Sequence, residues 1–104
     1  MTMADIRVAI AGAGGRMGRA LIEAVLAQPG LALSAALDVA DSPAVGRDAG
    51  ETCGRVTGTA VTSDVDAAIA GADVLVDFTR PDGTLAHLAV CARHRVAAVV
   101  GTTG

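Results

Sequence analysis

The chain has 104 residues, of which 52% are hydrophobic and 18% are charged, and its net charge is −3. This composition predicts one folded domain and excludes intrinsic disorder, which requires low hydrophobicity and a high net charge. The acidic balance and the single aromatic residue, Phe78, also argue against nucleic acid or an anionic membrane as a partner.

The first predicted elements are a strand and a helix joined by glycines. Ile6 to Ala11 is a short apolar run, typical of a strand that is covered on both faces. The helix that follows is predicted to end at Pro29-Gly30, and its apolar stripe consists of Met17, Ala20, Leu21, Ala24 and Val25. Leu31 to Leu37 predicts a second strand that ends at Asp38.

The middle of the chain predicts a loop and a short strand–helix unit. Residues 40–60 are rich in Gly, Ser, Thr, Asp and Pro, which indicates a long loop with one turn of helix at most. A short strand near Val61 is followed by Ser63-Asp64, an N-cap for a brief helix through Ala70. The segment "DVLVDF", residues 73–78, predicts another buried strand.

The last predicted unit is a helix and a strand. Thr79 and Asp82 have the spacing of a capping box, and Pro81 would lie in the first turn. The predicted apolar stripe of this helix consists of Leu85, Leu88, Ala89 and Ala92, and the predicted last turn holds Arg93, His94 and Arg95. Residues 96–100 predict the final strand, which leads to Gly101, Thr102, Thr103 and Gly104.

Strands that alternate with helices predict a single Rossmann-like α/β domain over residues 1–104, with a doubly wound parallel sheet. No helix follows the last predicted strand, so we expect the sheet to be incomplete at its C-terminal edge and the chain to be part of a longer protein. No apolar run approaches the ~20 residues that span a bilayer, and the first seven residues lack the features of a secretory leader. Two cysteines, Cys53 and Cys91, are too few for a disulfide framework, which fits a cytoplasmic protein.

The glycine-rich segment can be interpreted as a phosphate-binding loop or as a turn between a strand and a helix. Its spacing departs from GxGxxG because Met17 occupies the third glycine position, although Gly12, Gly15 and Gly18 recur every three residues. Asp38 follows Gly18 by 20 residues, the distance at which an acid binds the adenosine ribose. This context favours dinucleotide binding.

Asp38 and its neighbour bear on the choice of cofactor. A carboxylate accepts hydrogen bonds from a free 2′-hydroxyl but repels a 2′-phosphate, and Val39 follows it where an arginine would favour NADPH. We therefore expect NADH to be preferred, with NADPH as the second candidate because Arg16 could reach a 2′-phosphate. No metal site is predicted, because His87 and Cys91 have a ligand-like spacing without two further ligands.

Four segments together resemble the N-terminal half of bacterial 4-hydroxy-tetrahydrodipicolinate reductases: "IRVAIAGAGGRMGRALIEAV", "GRDAGE", "DFTRPDGTLAHL" and "VVGTTG". The resemblance implies a cytoplasmic, homotetrameric oxidoreductase of the diaminopimelate route to lysine. Such an enzyme transfers a hydride from NADH or NADPH to a cyclic dicarboxylate and forms tetrahydrodipicolinate. It implies cofactor contacts from Gly12, Ala13, Gly14, Gly15, Arg16, Met17, Asp38, Gly101, Thr102 and Thr103, with lesser contacts from Phe78 and Arg80.

The family's catalytic histidine and lysine lie in a motif that resembles HHRHK, within a C-terminal substrate domain, and this chain has no such motif. We therefore expect no catalytic residue in this chain and essentially no reductase turnover from it alone. Two alternatives are a non-catalytic module that senses a dinucleotide and another nicotinamide-dependent reductase of the same fold.

Overall fold

A computed structural model of the chain describes residues 5–101. In chain order the elements are β1 (Ile6–Ala11), α1 (Arg16–Ala27), β2 (Leu31–Leu37), a single 3-10 turn (Glu51–Cys53), β3 (Val61–Thr62), α2 (Val65–Ala70), β4 (Val74–Asp77), α3 (Pro81–His94) and β5 (Ala97–Val100). The strands form one five-stranded sheet in the order β3-β2-β1-β4-β5. Every pair of neighbouring strands is parallel, which confirms the predicted Rossmann-like fold.

The sheet has a hydrophobic core on each face, because side chains alternate along its strands. Val8 and Ile10 of β1 pack toward α1, whereas Ala9 and Ala11 pack toward α2 and α3. A central strand that is covered on both faces favours a nearly continuous apolar run, which explains the composition of β1 from Val8 to Ala11. The strand order reverses at β1, since β2 pairs with one of its edges and β4 with the other.

The inward face of α1 differs from the predicted stripe. The buried residues of the helix are Gly18, Ile22 and Val25, and Leu21 and Leu26 pack partly against the same core. Met17 is 51% exposed, and Ala20 and Ala24 also face solvent. The predicted stripe is therefore confirmed for Leu21 and Val25 and wrong for Met17, Ala20 and Ala24. The inner face is centred instead on Gly18 and Ile22, where the helix packs closely on the preceding turn.

The predicted stripe of α3 was also wrong. Leu85 is 69% exposed, and Leu88, Ala89 and Ala92 are exposed as well. The side facing the sheet instead carries Thr84 and Cys91, which are buried, and His87, which is mostly buried. One contact that favours this orientation is the hydrogen bond between His87, on the inner face of the helix, and the carboxylate of Asp77 at the end of β4.

The start of α3 is not a capping box. Arg80 occupies the N-cap position, and no side chain caps the helix there. The hydroxyl of Thr79 donates to Asp77 instead, so it is not available to cap the helix. The helix does have a proline in its first turn, as predicted, and it ends at Arg95, which adopts a left-handed conformation with φ 57°.

The long loop between β2 and β3 is organised by one carboxylate. Asp48 accepts hydrogen bonds from the N–H groups of Gly50, Thr57 and Gly58 and from the Thr57 hydroxyl. These bonds, led by those from Thr57 and Gly50, hold the pKa of Asp48 at about 2, below its usual 3.8. The predicted turn of helix is present as the 3-10 turn, beside which Asp48 pairs with Ala60 in an isolated bridge.

Three further acids form a helix cap and surface ion pairs. Asp64 caps α2 by accepting from the N–H of Ala67, as predicted. Asp66 binds Arg93 and His94 at the end of α3, and Asp73 binds Arg7.

Candidate functional site

The turn between β1 and α1 lies at the carboxyl edge of the sheet, where the strand order reverses. Gly12 has a φ of +79°, a conformation that glycine adopts at little cost. A Cβ on Gly18 would overlap the carbonyl oxygen of Gly12 and lie 2.8 Å from the Cα of Ala13. A Cβ on Gly14 would overlap the carboxylate of Asp38. The glycines therefore let the helix, the turn and the end of β2 come together at one point.

The N-terminus of α1 presents unpaired backbone donors. The first bond into the helix runs from the N–H of Arg19 to the carbonyl of Gly15, and no side chain caps the helix. Within residues 5–101, the N–H groups of Arg16, Met17 and Gly18 therefore have no hydrogen-bond partner. They border a cavity of ≈ 320 Å³ that is also lined by Gly12, Gly15, Asp38, Phe78 and Thr79. Such a cavity is suited to an anionic group, because a helix N-terminus carries partial positive charge.

Asp38 faces this turn from the end of β2. Its Oδ2 accepts from the N–H of Gly14 at 2.8 Å and from the hydroxyl of Ser42 at 3.1 Å, and its Oδ1 accepts from the N–H of Val39. The side chain is thus held against the glycine turn, in the place where the 20-residue spacing put it. Ala13 contributes only backbone here, since its side chain is buried in the core on the α1 face.

A second cavity, of ≈ 360 Å³, adjoins the first on the side of β2 and α3. Gly12, Asp38 and Thr79 line both cavities. The remaining lining is mixed apolar and polar, from Leu37, Val39, Ala40, Ser63, Val65, Arg80, Asp82, Gly83 and His87. The two cavities therefore adjoin along the carboxyl edge of the sheet, and together they could hold an elongated ligand.

Sequence reasoning missed Asp77 and its partner His87. Asp77 is 1% exposed, and its Oδ2 lies 2.6 Å from Nδ1 of His87. Burial raises the pKa of Asp77, but the hydrogen bonds from Thr79 and His87 together lower it by more than burial raises it. The pKa of Asp77 therefore lies below its usual range. The available signal was an acid at the end of the apolar run "DVLVDF", where the other residues of the strand are apolar.

The end of β5 comes close to Phe78. The N–H of Gly101 donates to the carbonyl of Asp77, and a Cβ on Gly101 would overlap the Phe78 ring. Gly101 therefore lies at the same sheet edge as the glycine turn. Thr102 and Thr103, predicted as its neighbours in the site, lie outside the described residues.

Two features that would indicate other classes of protein are absent from residues 5–101. No group of three or more His, Cys, Asp or Glu side chains in that range is arranged to hold a metal ion. None of the helices there has the length and apolar character needed to cross a membrane.

A glycine turn at the switch point of a parallel sheet, with an acid at the end of β2, defines a Rossmann-like domain of the dinucleotide-binding type. The model of the family described as "Dihydrodipicolinate reductase, N-terminus" matches residues 6–104. The chain belongs to this family, which confirms the resemblance found in its motifs.

Curated relatives and a solved structure agree with this assignment. The chain is 61% identical over 102 residues to the 4-hydroxy-tetrahydrodipicolinate reductase of Laribacter hongkongensis, covering 98% of this chain and 38% of that protein. It is 62% identical over 99 residues to that of Cupriavidus pinatubonensis, covering 95% and 37%. The structure of a dipicolinate-bound dihydrodipicolinate reductase from Paenisporosarcina sp. TG-14 superposes with a TM-score of 0.75 at 28% identity, covering 96% of this chain and 38% of that one. The chain thus spans less than two fifths of the length of these relatives.

Proposed function

We propose that the chain is the NAD(P)H-binding part of an oxidoreductase that reduces 4-hydroxy-tetrahydrodipicolinate to tetrahydrodipicolinate. The observation that carries the proposal is the row of unpaired N–H groups at Arg16, Met17 and Gly18, which borders a cavity at the switch point of the sheet. Membership of the reductase family supports the reaction named and favours an enzyme over a dinucleotide-sensing module.

The pyrophosphate binds at the N-terminus of α1 in this proposal. Backbone from Gly12 to Met17 surrounds it, and the unpaired N–H groups donate to its oxygens while the helix dipole offsets its charge. Arg16, which is among the residues that line the same cavity, carries a positive charge that favours the pyrophosphate. No side chain is required for this contact, which is why glycines occupy the turn.

Asp38 binds the adenosine ribose. A carboxylate offers about four acceptor positions, of which the N–H groups of Gly14 and Val39 and the Ser42 hydroxyl occupy three. One position remains for a ribose hydroxyl. A 2′-phosphate would instead bring like charges together, and the adjacent Val39 is an apolar side chain that is 64% exposed. NADH is therefore the preferred cofactor, and NADPH binds more weakly.

The adenine occupies the cavity beyond Asp38, between the end of β2 and α3. Its walls include Val39, Ala40 and Val65, which suit the faces of a base, and polar groups at Ser63 and His87, which suit its edge. The cofactor would run from there across the glycine turn toward Gly101 and Phe78. When bound, its dihydronicotinamide supplies the hydride.

The nicotinamide end is assigned to Gly101, Thr102 and Thr103, with Phe78 and Arg80 nearby. The proximity of Gly101 and Phe78 supports this assignment. The dicarboxylate substrate and the proton donor belong to residues beyond the 38% of the relatives that this chain matches. The whole protein is then a cytoplasmic homotetramer, which light scattering of the purified full-length protein would test.

Calorimetric titration of the 104-residue chain with NADH and NADPH tests the cofactor assignment. We expect both to bind and NADH to bind more tightly. Asp38→Ala should weaken NADH binding about tenfold, the equivalent of one charge-assisted hydrogen bond. Asp41→Ala, an exposed acid in the same loop, serves as the matched control and should leave the affinity unchanged. Absence of binding, or tighter binding of NADPH, would contradict the assignment.

The activity of the isolated chain tests whether it binds the cofactor without supplying a catalytic residue. We expect essentially no oxidation of NADH in the presence of substrate, because no catalytic residue is assigned to this chain. Turnover typical of an enzyme, with contaminating reductase excluded by mass spectrometry, would show that the assignment is wrong.

A further inference from the structure

We propose that Asp77 is a positioning residue that keeps a proton on Nδ1 of His87, so that Nε2 of the ring accepts a hydrogen bond from the exocyclic amine of the bound base. The inference rests on the proposed function, because it takes the cavity beside α3 as the adenine site. It adds a determinant of base specificity that acts through a buried acid with no contact to the ligand.

The carboxylate of Asp77 is fixed on both oxygens. Oδ1 accepts from the N–H of Thr79 at 2.8 Å and from the Thr79 hydroxyl, and Oδ2 lies 2.6 Å from Nδ1 of His87. The hydroxyl of Thr84 lies 3.4 Å from that of Thr79 and completes the network. The buried carboxylate therefore has one orientation, and its Oδ2 is directed at the imidazole.

The proton on Nδ1 follows from this arrangement. An ionised carboxylate can only accept hydrogen bonds, so the ring nitrogen that faces it must donate. The pKa of Asp77 lies below its usual range despite burial, which keeps the carboxylate ionised near neutral pH. In the neutral form of the ring the lone pair is therefore on Nε2, as in other histidines whose Nδ1–H is held by a carboxylate.

His87 lies at the wall of the second cavity, and its Nδ1 is occupied by Asp77. His87 lines the cavity together with Asp38 and Gly83, and its Nε2 has no hydrogen-bond partner within residues 5–101. An acceptor at this wall complements the N6 amine of adenine. It opposes the carbonyl oxygen that replaces this amine in hypoxanthine, because two acceptors would then face each other.

Asp77→Asn tests the position of the proton on His87, because Thr79 fixes the orientation of the side chain at position 77. The amide oxygen would take the place of Oδ1 and accept from Thr79, which puts the NH₂ group in the place of Oδ2. That group donates to Nδ1 of His87, so the ring must carry its proton on Nε2 instead. The wall of the cavity then becomes a donor, although the shape of the side chain is unchanged.

The experiment compares the binding of NADH with that of its hypoxanthine analogue, deamino-NADH, by calorimetry at about pH 8.5, where imidazoles are generally neutral. The intact chain should bind NADH about tenfold more tightly than deamino-NADH, and Asp77→Asn should abolish or invert this preference. Asp66→Asn is the matched control. Oδ1 of Asp66 lies 2.9 Å from Nε2 of His94, which is on the same helix as His87, and neither Asp66 nor His94 lines the cavity. This variant should leave the preference unchanged.

The ¹⁵N chemical shifts of His87 in the unaltered chain provide a second measurement that does not depend on the folding of a variant. They should show a protonated Nδ1 and an unprotonated Nε2. A ring protonated on Nε2, or equal affinity of the unaltered chain for the two dinucleotides, would overturn the inference while NADH still binds. If NADH itself does not bind, the proposed function fails and this inference fails with it.

Discussion

Gly18→Ala is the substitution that tests the geometry of the site most directly. Gly18 is the third residue of α1, and it is buried where the helix meets the β1–α1 turn. An added methyl group would overlap the carbonyl oxygen of Gly12 and lie 2.8 Å from two further backbone carbons, the Cα of Ala13 and the carbonyl carbon of Gly12. These atoms are backbone and cannot move aside as a flexible side chain could.

The expected cost follows from the size of the overlap. Carbon atoms in contact normally lie ~3.5–4.0 Å apart, so the helix and the turn must separate by about 1 Å. Overpacking of this kind costs about 1–3 kcal/mol, and the overlap with backbone atoms places Gly18→Ala at the upper end, about 3 kcal/mol, from which the helix preference for alanine over glycine subtracts about 1 kcal/mol. We therefore expect the free energy of unfolding to fall by about 2 kcal/mol, which corresponds to a drop of about 8–16 °C in Tm for a domain of this size.

Thermal unfolding followed by circular dichroism measures this change, and calorimetric titration with NADH measures its effect on the site. Because the turn itself must shift, NADH affinity should fall more than tenfold even at temperatures where the variant is folded. Gly71→Ala is the matched control, since Gly71 has no atom within 4 Å of an added Cβ and a φ of −90°. Its stability should change by less than ~1 kcal/mol, in the stabilising direction.

An unchanged Tm and an unchanged NADH affinity in Gly18→Ala would refute the close packing of α1 on the turn. A loss of stability of equal size in Gly71→Ala would show that the effect comes from the loss of glycine in general.

Three further predictions test the rest of the fold. Ile22→Ala, at a fully buried position in the core on the α1 face, should lower the free energy of unfolding by about 2–5 kcal/mol in urea titrations, and a loss below ~1 kcal/mol would contradict the observed inner face of α1. Leu85→Gln should change this free energy by less than ~0.5 kcal/mol, because the side chain is exposed. A large loss would show that Leu85 is buried, as the sequence pattern predicted. The folded-state pKa of Asp48 is lowered, so its stabilising contribution is present above about pH 4 and is lost as the pH falls toward 2. The hydrogen-exchange protection of the Gly58 amide, which donates to Asp48, should therefore fall over that pH range. In Asp48→Asn this protection should not depend on pH in the same range.

The local features of the chain were predictable because each depends on neighbours in the sequence. The bounds of β2 and the end of α1 before Pro29 follow from short apolar runs and from residues that break helices. The glycine turn and Asp38 were found in the same way, since a dinucleotide-binding unit places them at a characteristic spacing within one βαβ segment.

The inward faces of α1 and α3 could not be predicted in the same way, because they depend on what each helix meets across the fold. Hydrophobicity alone placed Leu85 inside, but the inner face of α3 carries His87, which pairs with Asp77. The carboxylate of Asp77 also accepts from the Thr79 hydroxyl, just before the helix. The same contact explains why Thr79 does not cap the helix. The hydrogen bond between Asp77 and His87, ten positions apart in the sequence, is not visible in a pattern read along one helix.

The class of fold, the family and the position of the glycine turn follow from the amino-acid sequence alone, since each depends on contiguous motifs. Three contacts came only from the folded structure: Asp38 reaches across to Gly14, a side chain at Gly18 would overlap backbone, and the buried carboxylate of Asp77 lies 2.6 Å from the imidazole of His87. Each of these is a contact between elements that the sheet brings together at its carboxyl edge, and its strength depends on distances of a few ångströms that no spacing along the chain specifies.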